Sequence, residues 1–136
     1  GKMPIRCKSS PGFLVNRALL PYMFGAIEAV VLGENPEKID QAMVDFGMPM
    51  GPIELSDQVG LDVCLDVGTV LGIGPGAEKL LKSKCDDKTL GRKTGSGFYN
   101  WSENRAVRSR EPLEPKLSDD IARLTTTLAT PITLVK

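Results

Sequence analysis

Imidazole chemistry is closed to this chain. None of its 136 residues is histidine, so Ser-His-Asp and Cys-His nucleophile systems are excluded, as are His-containing zinc sites. Proton chemistry is left to carboxylates, lysine and tyrosine, and no metal site is expected. Asp62 and Asp66 are four residues apart, a spacing that serves a carboxylate pair on one helix face and, far more often, a solvated stripe. Glu54 and Asp57 follow Pro52 by a turn or so. Carboxylates there favourably meet a helix dipole, so capping explains them, and the same charge makes that terminus a poor phosphate site.

Two glycine-rich runs invite comparison with phosphate loops. GIGPG at 72–76 follows a helical pattern and has no acidic residue in a βαβ context, so it is not a dinucleotide loop. GRKTGSG at 91–97 lacks the Walker spacing. Its Arg92, Lys93 and flexible amides suit a phosphate contact, while Phe98, Tyr99 and Trp101 behind it suit a structural turn.

Asn16 is the most informative polar residue. It lies in SPGFLVNRALLPY at 10–22, with Gly12, Phe13, Leu19 and Leu20 as its neighbours at helical spacing. The amide is expected among apolar side chains, where an unpartnered group costs about 1–3 kcal/mol and therefore needs a bonding partner. Pro21 removes the bond to the Arg17 carbonyl, so a bend is expected just after Asn16.

The elements that carry these residues are mostly helical. Residues 3–8 (MPIRCK) alternate like a half-buried strand, yet no later segment reads as its partner, so its sheet is expected outside this chain. A long helix over 13–32 follows, apolar around more than half its circumference. Asn35 and Pro36 open a second helix, marked by Ile39, Ala42, Met43 and Phe46. After the turn GMPMGP, Leu55, Val59, Val63, Val67 and Leu71 recur every four residues and predict a single third helix, with Gln58, Asp62 and Asp66 as its wet stripe. A short helix through Ala77, Leu80 and Leu81 is predicted next. Residues 102–116, charged and proline-bearing, read as a mobile linker, and 117–136 as a last helix kinked at Pro131.

Composition narrows the partners. Seventeen basic and seventeen acidic residues give zero net charge, so no global field draws the chain to nucleic acid or anionic lipid. The apolar run 18–27 is too short for a membrane span. Cys7, Cys64 and Cys85 have no CxxC spacing, which favours three small core residues in a reducing compartment.

SPGFLVNRALLPY, FGMPMGPIELSDQVGLDV and LGRKTGSGFYNW, in that order across residues 1–101, resemble the C-terminal domain of 3-hydroxyacyl-CoA dehydrogenases, in the form of the multifunctional α-subunits of fatty-acid β-oxidation. The resemblance implies an all-α helical bundle of the 6-phosphogluconate-dehydrogenase C-terminal-like type, with residues 1–9 as a strand and linker from a Rossmann domain and 10–101 as the helical domain. It also implies 102–116 as linker and 117–136 as the start of a second repeat. The catalytic His–Glu pair and the NAD site would lie upstream, leaving this fragment inactive and without bound cofactor, and the parent would carry hydratase activity or not. Asn16 would position the substrate's 3-oxygen and thioester, Pro49, Met50, Gly51 and Pro52 would lie near the acyl group, and Arg92 and Lys93 would match the family's basic loop pair, candidates for a phosphate or CoA contact. Expected partners are an acyl-CoA, the NAD-binding domain, and a second copy or second repeat. The expected compartment is bacterial cytoplasm or a mitochondrial or peroxisomal matrix. The competing reading is a non-catalytic helical association module in which Asn16 is only an interhelix contact.

Overall fold

A computed structural model describes residue 4, residues 6–10 and residues 12–109. The expected helix at 117–136 and its kink lie outside the described residues. Five helices, α1 (Val15–Val31), α2 (Pro36–Asp45), α3 (Pro52–Val59), α4 (Leu61–Leu71) and α5 (Pro75–Asp86), are followed by a 3-10 turn (Arg92–Thr94) and a small hairpin, β1 (Asn100–Ser102) with β2 (Arg105–Val107). The all-α expectation holds, with that hairpin as its one departure among the described residues.

Helix α1 is the hub. From Leu20 onward its apolar residues turn inward, with Met23 and Ile27 fully buried, and it packs on α3, α4 and α5 while α2 lies on α3. It runs through Pro21 without interruption. Pro21 and Arg17 are both exposed, so the carbonyl freed at Arg17 faces solvent rather than the core, the cheap side on which to lose a bond. Helix α2 begins as expected: the Asn35 side-chain oxygen accepts from Glu37 N at 2.8 Å and Lys38 N at 3.4 Å, with Pro36 in the first turn.

The predicted third helix is two helices. Gly60, at φ +105°, separates α3 from α4, a conformation in which a side chain would be strained. The buried face is Ile53, Ser56, Asp57, Leu61, Cys64 and Gly68, a helical spacing that carries across the break on the side away from the predicted stripe, whose Val59 and Val63 are 40% and 42% exposed. Of the wet stripe, Asp66 is exposed, while Gln58 and Asp62 are half-buried.

Two further expectations change. Of the three cysteines Cys64 is buried, Cys85 half-buried and Cys7 exposed, because the described residues before Ser10 are exposed and belong to no strand. The described part of the expected linker is also structured. Residues 105–107 pair with β1, Arg108 bonds Glu54 at 2.5 Å, and Ser109 N donates to Glu37 at 2.7 Å.

Candidate functional site

Asn16 occupies the first turn of α1, and its position differs from the enclosed one expected. The residue is exposed, because of its helical neighbours only Leu20 is buried, and the first turn projects beyond the core. Its backbone N–H donates to the Gly12 carbonyl at 3.1 Å. Gly12, at φ +78°, packs so closely that an added Cβ would lie 3.2 Å from the Asn16 Cβ and 3.4 Å from Leu71 at the end of α4. The backbone of Asn16 is therefore fixed by α1 and its entry turn, while its amide makes no hydrogen bond among the described residues. A neutral amide held out in this way donates and accepts without changing charge. Phe13, Leu14 and Val15, which precede it in the chain, are 59%, 41% and 68% exposed, so the polar group stands in an exposed apolar stretch.

The turn at 49–52 divides into structural and accessible halves. Gly51 and Pro52 are buried, and the Asp40 side chain fills the space a Gly51 side chain would need. Met50 accepts from Gln58 Nε2 at 3.3 Å, and Pro49 is exposed. Arg92 and Lys93 sit on the exposed 3-10 turn, but Lys93 is engaged by Asp62 at 2.5 Å. That bond, chiefly, holds the Asp62 carboxyl below its ordinary value. Arg92 is the freer of the two cations. Lys93 meets the start of α4 and Asn16 adjoins its end, so the 11-residue helix separates them by about 15 Å. The candidate residues thus occupy separate stations, and neither Asn16 nor the 49–52 turn bonds to the basic loop.

Three carboxylates hold the surrounding fold together in roles that the sequence reading did not assign to them. Asp40 is fully buried and accepts from Ile53 N at 2.8 Å, Glu54 N at 2.9 Å and Tyr99 OH at 2.7 Å, capping α3 from another helix. Burial pushes its carboxyl above the usual range despite the bonds from Tyr99 and the two amides. Asp57, expected as a dipole partner at a helix start, is instead buried and receives Phe98 N, Tyr99 N and Trp101 Nε1, each at 2.9 Å. This explains the glycines of the 91–97 loop: a side chain on Gly91 or Gly97 would collide with Asp57. Glu28 accepts from Ala77 N at 2.9 Å and caps α5. Its carboxylate fills the space beside Gly74 and Gly76, so the GIGPG run presents a negative charge where a dinucleotide would need its diphosphate. That run does not fit a dinucleotide.

The signal for Asp40 and Asp57 is a matter of phase. Asp40 stands beside Ile39 and one turn before Met43, and Asp57 falls on the Ile53–Leu61 face at four-residue spacing. Glu54, read with Asp57 as a dipole partner, is taken by Arg108 at 2.5 Å.

Residues 12–101 match the family model for the 3-hydroxyacyl-CoA dehydrogenase C-terminal domain. The chain belongs to this family. It is 40% identical over 109 residues to the fatty acid oxidation complex subunit alpha of Vibrio cholerae serotype O1, across 77% of this chain and 15% of the relative. Among solved structures it is similar to FadB2 of M. tuberculosis (TM-score 0.68, 36% identity, 74% of this chain and 38% of that one). A second is 3-hydroxybutyryl-CoA dehydrogenase of Escherichia coli K12 (TM-score 0.65, 36% identity, 83% and 26%). This dehydrogenase domain therefore spans about 15% of the length of the curated relatives it matches.

Proposed function

We propose that this chain is the substrate-binding and dimerisation domain of an NAD-dependent 3-hydroxyacyl-CoA dehydrogenase, which interconverts 3-hydroxyacyl- and 3-oxoacyl-CoA in fatty-acid oxidation. The observation that carries the reading is Asn16, an exposed amide on a fixed backbone that is unpaired among the described residues and follows an exposed apolar stretch. In the reaction its NH2 donates to the substrate's 3-oxygen, a preorganised dipole aimed where negative charge develops when the oxygen is released by its proton. Pro49 and Met50 border the acyl group, and Arg92 is the cation left to meet the CoA phosphates. Hydride exchange and the His–Glu pair belong to an N-terminal domain, in keeping with the misfit between NAD and the glycine run here.

The exposed valines Val59, Val63 and Val70 suit a second copy or a second helical repeat. The bacterial relatives and the free thiols favour a reducing bacterial cytoplasm. The experiment is reduction of acetoacetyl-CoA by NADH with the intact protein and its Asn16→Ala variant. Loss of one preorganised donor lowers turnover about 100- to 1,000-fold, whereas an unchanged kcat removes Asn16 from the site. The isolated domain is expected to be inactive.

A further inference from the structure

Four non-glycine residues have positive φ among the described residues: Phe13, Lys88, Glu103 and Asn104. Glu103 and Asn104 form the two-residue turn between β1 and β2, which demands that conformation. Lys88 ends α5, where Thr89 N returns to the Lys84 carbonyl, a common left-handed helix stop. Phe13 has no such excuse. At φ +49° it follows Gly12 at φ +78°, closing a turn through its N–H to the Ser10 carbonyl at 2.9 Å, and a bulky side chain in this region crowds its own backbone. Phe13 is 59% exposed and contributes to no core cluster.

We propose that Phe13 is a specificity-determining residue for the acyl chain of the thioester substrate, an inference that rests on the Asn16 reading above. The entry turn that carries Phe13 lies against Asn16, as the 3.2 Å approach at Gly12 shows. With the Asn16 amide on the 3-oxygen, the carbons beyond the third leave the reacting centre past this turn. An aromatic ring held at its outer edge is an apolar wall for them. The ligand chemistry is aliphatic, and the contact grows with chain length until the ring is covered. Backbone strain retained under an exposed ring is the pattern expected where a side chain is aimed at something outside its own fold.

The test uses the intact protein with 3-oxoacyl-CoA substrates of about four and about ten carbons, assayed with NADH, in wild type, Phe13→Ala, Phe13→Gly and Asn16→Ala; each methylene buried is worth about fourfold in affinity. Phe13→Ala should lower kcat/KM for the long substrate about tenfold more than for the short one. Phe13→Gly should show the same discrimination and also melt at a higher temperature, because glycine relieves the left-handed strain. An equal loss on both substrates would overturn the proposal in favour of a domain-docking role, and so would no loss on either. Unchanged activity of Asn16→Ala on both substrates would instead overturn the underlying site reading.

Discussion

Replacing Asp57 by asparagine tests the carboxylate on which the 91–101 loop hangs. In the wild type, Oδ1 receives Phe98 N and Oδ2 receives Tyr99 N and Trp101 Nε1. Asparagine keeps one acceptor oxygen and presents an NH2 to the donors on the other side. At least one amide or indole N–H is then left facing a donor in a buried site, and the charge that strengthened the remaining bonds is gone. Hydrogen bonds to a charged group contribute about 1.5–3 kcal/mol each, and an orphaned buried donor costs about 1–3 kcal/mol. One such bond lost, its donor orphaned and the other two bonds weakened by loss of the charge, with partial relaxation of the half-buried Phe98 and Trp101, predict a loss of about 3–4 kcal/mol. The protein's single tryptophan is one of the three donors, so its fluorescence follows both the loop and the global transition in urea. Asp66→Asn, on the exposed side of α4, is the control and should stay within about 0.5 kcal/mol. A urea midpoint and native Trp101 spectrum for Asp57→Asn matching those of the control would refute the assignment of Asp57 as the loop's anchor.

Three other perturbations read different parts of the structure. Asp40 has a folded carboxyl raised above its unfolded value, chiefly by burial, so the folded state binds more protons and stability falls as pH rises from about 4 through the raised value. Urea midpoints across that window for wild type and Asp40→Asn should therefore show the wild-type advantage shrinking with pH; a constant or growing advantage contradicts the sign. Lys93→Ala removes an ion pair whose side chains are 45% and 40% exposed. It should cost less than about 1 kcal/mol and less still in high salt, as thermal melts at two ionic strengths would show. Gly60→Ala places a Cβ 2.9 Å from Asp62 at φ +105°, and a loss of about 1–3 kcal/mol is expected in chemical denaturation; a stabilised variant would mean that the α3–α4 break does not require that conformation.

The helices were legible because their ends carry local chemistry. Asn35-Pro36 announces α2 by side-chain capping, and Pro52 and Pro75 open α3 and α5 from the first turn. Gly60 was illegible for the opposite reason: the apolar repeat continues across it, and a glycine inside such a pattern is compatible with an unbroken helix until tertiary contacts choose. Those contacts are Leu61 N to the Leu90 carbonyl and the Lys93 bond to Asp62, both to residues about thirty positions away. Asp40 and Asp57 were hidden in the same manner, since their donors come from segments 13 to 59 residues distant. Asn16 stood out by its type and neighbours, but its exposure did not follow from them. Helical spacing fixes which residues are adjacent, not where the core ends.

The way the polar groups are used also narrows where a partner must act. Glu28 and Asp40 cap helices, Asp57 anchors a loop, and Glu54 and Asp62 hold Arg108 and Lys93. These carboxylates are acceptors already supplied with donors, so recruiting any of them for acid–base work would first break a bond that holds the fold. Asn16 is differently placed. Its backbone belongs to the hub helix while its amide remains available, and a group on a rigid helix can be presented with less positional error than one on a loop. On the function proposed above, Asn16 would hold a substrate atom still while the proton and hydride changes occur on groups outside this domain. On that reading, the division lets a chain without histidine serve an oxidoreductase.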